Sequence, residues 1–216
     1  MKRDLTELVF ILDRSGSMAG LEHDTIGGYN ALLAKQRAGA GDALITTVLF
    51  DDRIELLHDR SGIKGVQLIT EKDYFVRGST ALLDAIGISI DKIVNAHRHT
   101  AEEERPGKTM FVITTDGLEN ASRRFSYEKI RQMVSYEQEK YGWEFLFIGA
   151  NMDAIAAAQR FGIHANRAAT RHNDALGTQA QYNAINNAVS SLRMSDYVPQ
   201  DWSAVIDQDY QARSQK

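Results

Sequence analysis

Leu8-Val9-Phe10-Ile11-Leu12 runs directly into Asp13-Arg14-Ser15-Gly16-Ser17. A short run of branched and aromatic residues reads as a buried parallel strand. The D-x-S-x-S stretch then delivers one carboxylate and two hydroxyls to the loop at the strand's carboxyl end. In an open α/β sheet that edge is where ligands bind. Small oxygen donors at i, i+2 and i+4 can converge on one hard cation.

Outward from this junction, strand-like and helix-like segments alternate. Ile26, Tyr29 and Leu33 mark one face of a helix. Ala43–Phe50 reads as a strand, Asp51-Asp52 as a turn, and Arg53–Leu57 as an antiparallel edge strand. Leu83, Ile86, Ile90, Ile93 and Val94 give a helical stripe, and Met110–Ile113 a central strand. Ser126 is placed to cap a helix with apolar positions Ile130, Met133, Val134 and Tyr141. Phe145–Ile148 is a further strand, followed by a helix from about Asp153 that stops at Phe161-Gly162. A short sixth strand is expected near Ile163–Ala165. Tyr182, Ile185, Val189 and Leu192 mark a last helix. Strands separated by helix-length segments imply right-handed crossovers. The expected fold is therefore α/β and Rossmann-like: a doubly wound, mostly parallel sheet with one antiparallel edge strand and helices on both faces. The domain is expected over residues 4–194. Residues 195–216 form a C-terminal extension whose Tyr197, Trp202 and Tyr210 either pack on the domain or engage a partner, packing being favoured.

Composition bounds the function. The 216 residues suffice for one sizeable core, and 43% hydrophobic with 25% charged residues is ordinary globular usage. A net charge of −4 offers no global field for nucleic acid or an anionic membrane. The absence of cysteine excludes disulfides, thiolate metal sites and thiol nucleophiles. No signal-peptide apolar region or membrane span is recognisable at the N-terminus, so a cytoplasmic protein is expected.

Three loops at one sheet edge carry the candidate chemistry. They hold Asp13, Ser15 and Ser17 after the first strand, Thr80 in Arg77-Gly78-Ser79-Thr80 before a helix, and Asp116 in Asp116-Gly117 after the Met110 strand. Two carboxylates and three neutral hydroxyls suit Mg²⁺, Mn²⁺ or Ca²⁺ and suit zinc or copper poorly. Each has an ordinary alternative as a cap, a loop hydroxyl bonding to backbone, or a turn residue. An EF-hand loop is disfavoured because Met18 stands where glycine is required and a strand precedes. A phosphatase using an Asp13 nucleophile would want a second Asp where Ser15 stands. His97-Arg98-His99 reads as a surface cap at a helix end. Arg123-Arg124 reads as a solvated pair with an alternative place on the rim of the metal face.

Asp13-Arg14-Ser15-Gly16-Ser17-Met18, Gly78-Ser79-Thr80 and Thr115-Asp116-Gly117 together resemble a von Willebrand factor A (vWA) domain carrying a metal-ion-dependent adhesion site. The likeness extends over Leu82–Ile86 and nearly the whole chain. The compact, cysteine-free form is similar to intracellular bacterial members, including tellurite-resistance-type proteins. The resemblance implies that Ser15, Ser17 and Thr80 offer hydroxyls to the metal, with Asp13 and Asp116 binding directly or through water. A cation held mainly by neutral oxygens keeps much of its charge, so its open position favours a Glu or Asp carboxylate from a partner protein. The expected function is non-enzymatic protein binding; the alternative is a metal-assisted phosphoryl or ester hydrolase using Asp13.

Overall fold

The computed structural model describes residues 1–214; Gln215 and Lys216, the end of the expected extension, lie outside the described residues. Six strands form one sheet in the order β3-β2-β1-β4-β5-β6. They are β1 (Lys2–Asp13), β2 (Asp42–Phe50), β3 (Ile54–Gly62), β4 (Pro106–Thr115), β5 (Glu144–Ala150) and β6 (Ala168–Arg171). β3 alone is antiparallel, returning from β2 through Asp51–Arg53. The helices are α1 (Glu22–Ala38), α2 (Leu82–Arg98), α3 (Tyr127–Tyr141), α4 (Ala154–Arg160), α5 (Ala175–Ser195) and α6 (Ala204–Ser214).

Because side chains alternate along a strand, β1 feeds two cores at once. Leu8, Phe10 and Leu12 meet α1 and α5 through Tyr29, Leu32, Leu33, Ile185 and Val189. Val9 and Ile11 meet α2, α3 and α4 through Leu83, Ile86, Ile90, Ile130, Val134 and Ala158. Burial on both faces explains why this strand reads as an unbroken apolar run. β1 lies between β2 and β4, so the sheet grows in opposite directions from it. The carboxyl ends of β1 and β4 flank that topological switch point, the usual crevice for ligands in such sheets. Asp13 and Asp116 stand at those two ends.

Three expectations need correction. The sixth strand is β6, not Ile163–Ala165. Ile163 instead closes α4: its amide donates to the Ala158 carbonyl (3.0 Å) and that of Gly162 to Gln159 (3.1 Å), with Gly162 at φ +82°. This is a Schellman end, whose apolar residue packs back on the helix; Ile163 is 1% exposed for that reason. Tyr141 is half exposed, its turn having run past the edge of the core, and Glu137 takes the buried place beside Val134. His97 is not a surface cap: its ring meets Trp143 edge-on and its Nε2 lies 3.4 Å from Glu7. His99 is exposed and its Nδ1 bonds the Asn95 carbonyl, as a cap should.

Within the extension, Val198, Trp202 and Ile206 are buried in the α1–α5 core, and the Trp202 indole donates to the Asn166 carbonyl (2.8 Å). Tyr197 and Tyr210 stay exposed. No helix among the described residues is long and apolar enough to cross a membrane.

Candidate metal centre

The three loops meet. The Asp13 carboxylate accepts the Ser15 amide on Oδ1 (2.7 Å) and the Thr115 hydroxyl on Oδ2 (2.6 Å), which ties the end of β1 to the end of β4. The Ser15 and Ser17 hydroxyls lie 3.1 Å apart, and the Ser17 hydroxyl donates to Asp116 Oδ1. Thr80 joins them across Gly117. A Cβ built on that glycine would lie 2.8 Å from Thr80 Oγ1, 3.0 Å from Ser17 Oγ and 3.6 Å from Ser15 Oγ. All five side chains singled out from the sequence therefore surround one small volume. Asp13, Ser15, Thr80 and Asp116 are buried, while Ser17 is exposed and leaves the cluster open to solvent.

The ordinary readings of these hydroxyls can be checked. Ser15 precedes the 3₁₀ turn Gly16–Met18 without a side-chain capping bond. Thr80 is not a cap either, because α2 starts at Leu82 and its free amides are served elsewhere. Glu119 Oε2 accepts the Leu83 amide (2.9 Å) and Ser122 Oγ the Asp84 amide (3.0 Å). The end of α2 is thus capped from the loop after β4. Asn120 brackets Thr80 from that same loop, accepting its amide on Oδ1 (2.9 Å) and donating to its carbonyl (3.0 Å). Thr80 is positioned entirely by its backbone, which leaves its hydroxyl for another task.

The two carboxylates are strained by their surroundings. Burial pushes Asp13 up to about 6, against the Thr115 and Ser15 hydrogen bonds that pull it down, with Asp116 adding a smaller upward push. Burial likewise raises Asp116, opposed by Ser17, the Arg171 charge and Asn173. Among the described residues, Asp116 Oδ2 is buried with no hydrogen-bond partner. An unpartnered buried carboxylate oxygen costs about 1–3 kcal/mol or more, and a cation beside it would remove that cost. Among the described residues, no three His, Asp or Glu side chains gather around one metal position. The five side chains here are instead two carboxylates and three hydroxyls, and an all-oxygen set suits Mg²⁺, Mn²⁺ or Ca²⁺.

Several residues that hold the site escaped the sequence reading. Arg14, between two expected ligands, is fully buried. Its Nε donates to Asp51 (2.9 Å) and its Nη2 to Glu55 (2.7 Å). Arg77 reaches the same Asp51 oxygen (2.6 Å). Burial pushes Asp51 up, but the Arg77 bond, the Arg53 amide and the Arg14 charge overcome it and hold Asp51 below its ordinary range. The backbone follows: Arg77 N donates to Arg14 O (2.9 Å), Gly16 N to Gly78 O (3.2 Å) and Ala81 N to Asp51 O (2.7 Å). The irregular segment 63–81 that delivers Thr80 is pinned from α1. Arg37 donates to the carbonyls of Ile63 and Val66, and Asn30 donates to the Ile69 carbonyl and accepts the Ile69 amide. Tyr74 completes it by donating its hydroxyl to the Asp13 carbonyl. The only signal in the sequence was Asp51-Asp52, read as a turn. That turn is present, since Asp51 Oδ1 accepts the Arg53 amide, but the ion pairs were invisible. Arg123 and Arg124 lie in the loop between β4 and α3, with their amides on Asp84 and the Arg124 guanidinium over the Phe125 ring.

No family model and no curated protein matches the sequence. Solved structures do match. The vWF domain of the type V pili tip protein Mfa5 from Porphyromonas gingivalis matches 90% of this chain and 98% of its own, with TM-score 0.64 and 12% identity. The ArnB paralog VWA2 from Sulfolobus acidocaldarius matches 86% of this chain and 45% of its own, with TM-score 0.55 and 18% identity. The manganese-loaded TRAP protein from Plasmodium vivax matches 78% and 69%, with TM-score 0.54 and 14% identity. The chain spans a little under half the length of VWA2 and of two other matches. At these identities the shared property is the fold, and it is that of von Willebrand factor A domains.

Proposed function

We propose that this chain is a non-enzymatic, metal-dependent protein-binding module with a metal-ion-dependent adhesion site. Asp13, Ser15, Ser17, Thr80 and Asp116 hold a divalent cation, Mg²⁺ or else Mn²⁺ or Ca²⁺, and the cation captures a Glu or Asp carboxylate of a partner protein. The observation that carries this is the meeting of three side-chain hydroxyls around Gly117 beside a carboxylate with one oxygen unpartnered among the described residues. The manganese-loaded TRAP protein and the pilus-tip Mfa5 domain share the fold and lend support. We take residues 4–194 as the module and residues 195–216 as its extension. A compact, intracellular bacterial type, as in tellurite-resistance systems, and a cytoplasmic setting agree with the absence of cysteine.

The hydrolase alternative asks Asp13 to attack a substrate. Both of its oxygens already accept hydrogen bonds and the residue is 1% exposed. It is a poor nucleophile in that setting and a good anchor for a loop.

The test has two steps. Calorimetric titration with Mg²⁺ or Mn²⁺ gives saturable binding that Asp116→Ala abolishes, with the fold retained because the buried carboxylate removed lies outside both apolar cores. Affinity capture is then run with Mg²⁺, with EDTA, and with Asp13→Ala. A partner held equally under all three conditions refutes capture through the metal. Turnover of a generic phosphate ester by the Mg²⁺-loaded chain would favour the hydrolase.

A further inference from the structure

At the opposite, amino edge of the sheet three titratable residues occupy positions that the pattern reserves for apolar side chains. Glu7 continues the Val9–Ile11 face of β1 and is 0% exposed. Glu137 follows Ile130 and Val134 on the inner stripe of α3 and is 4% exposed. His97 follows Ile90 and Ile93 on α2 and touches the Trp143 ring. Charged side chains in such places are costly unless fully partnered. They are only half partnered here. Arg60 engages one oxygen of Glu7 (2.9 Å), while Glu7 Oε1 and Glu137 Oε2 are buried without a hydrogen-bond partner among the described residues.

Glu137 lines a cavity of about 400 Å³ together with His97, Trp143, Tyr141 and Thr109, a volume in the range of small-molecule sites. Two carboxylates line it, Glu137 and the exposed Glu102, and the C-terminal ends of α2 and α3 both close on it, at Arg98 and Tyr141, where the helix dipoles favour a cation. Trp143 is fixed at this place because its amide donates to the Glu137 carbonyl and closes α3, with its indole stacked on Phe111. Arg98, Arg105 and Met1 also line the cavity. Arg98 is exposed, and Arg105 directs its Nε to the Thr100 carbonyl (2.8 Å). Neither bonds either unpartnered carboxylate oxygen. A buried carboxylate, an aromatic face and helix C-termini are the features that select an organic cation.

We propose that this cavity is a second binding site, independent of the metal face, for the ammonium group of an organic amine, with Glu137 as the anion and Trp143 as the aromatic wall. It lies about 23 Å from Asp116, counted along β4 from Thr109 at about 3.3 Å per residue. Burial raises the Glu137 carboxyl, while His97 and Lys140 pull it down. A bound ammonium supplies the compensation that burial withholds.

Calorimetry and tryptophan fluorescence on the full chain in EDTA test this, with butylammonium, 1,4-diaminobutane and Nα-acetyl-lysine amide as probes and butanol and butyrate as controls. Saturable binding of the amines is expected, at least tenfold tighter than butanol. It is lost at least tenfold in Glu137→Gln and unchanged in Asp116→Ala. Thr109→Met, which fills the cavity and leaves every charge in place, also abolishes it and covers the case in which Glu137→Gln fails to fold. Tighter binding of the lysine amide than of the free amines points to a partner's lysine, and the reverse to a small metabolite; both support the ammonium chemistry. Absence of saturable amine binding, equal binding of butanol or butyrate, or amine binding unchanged in folded Glu137→Gln overturns the proposal. Since Asp116→Ala and EDTA leave this assay untouched, its failure and the failure of the metal reading are separate results.

Discussion

Replacing Gly117 by alanine isolates the metal cluster from the fold. The added methyl would sit 2.8 Å from Thr80 Oγ1 and 3.0 Å from Ser17 Oγ, where ordinary contact begins at 3.4 Å. Both hydroxyls must give way by several tenths of an ångström. Gly117 does not adopt a left-handed backbone, so alanine is conformationally admissible there. The cost to the empty fold is that of modest overpacking, about 1–3 kcal/mol. A cation such as Mg²⁺ demands ligands at about 2.0–2.1 Å in near-ideal octahedral geometry. Two displaced ligands at about 1.5–3 kcal/mol each lower affinity at least about 100-fold. At a cation concentration about 100 times the wild-type Kd, wild type gains about 2.7 kcal/mol. For a chain of this size that is about 5–11 °C in Tm. The variant at the same concentration sits near its own Kd and gains about 0.4 kcal/mol, or about 1–2 °C. Melting curves of both proteins in EDTA and in Mg²⁺ or Mn²⁺ decide the matter. A variant that keeps the full cation-induced shift would show that the hydroxyls around Gly117 are not where the ion binds.

Arg14→Met leaves Asp51 buried with one cation fewer and is expected to cost about 3–5 kcal/mol; a loss under about 1 kcal/mol in urea unfolding would mean the pair does not hold the loops. Trp202→Ala removes a buried side chain and the bond to Asn166, and about 3–5 kcal/mol is expected from the same measurement. An unchanged midpoint would detach the extension from the core. Glu137 has a folded-state pKa above its unfolded value of 4.5, so its contribution is fully present below pH 4.5 and lost as pH rises through the folded value. In calorimetric scans from pH 4 to 7, Glu137→Gln should therefore lose Tm less steeply than wild type, and parallel slopes would contradict the assignment.

What the sequence revealed and what it concealed divide along physical lines. β1, β4 and β5 are covered on both faces, so they wrote themselves as apolar runs, and two of the three metal loops directly follow β1 and β4. β6 left no such mark: Ala168-Ala169-Thr170-Arg171 has little apolar contrast, and the nearby Ile163 owes its character to a helix end. The path of segment 63–81 is set by side chains of α1, which no local pattern encodes. Arg14, Glu7, His97 and Glu137 are polar residues enclosed by neighbours distant in sequence. Their burial is a tertiary fact, and a polar letter alone reads as surface.

The margins of the sheet have a consequence for how copies of this chain can meet. β6 is four residues long and α6 packs against it. β3, at the other margin, is broken by register shifts and by Arg60 at φ +46°. Neither border offers a long, regular row of free amides and carbonyls to template a strand from another molecule. Self-association by sheet extension is therefore discouraged at both flanks. Loss of the terminal helix would lift that protection on one of them, turning a truncation into a solubility defect.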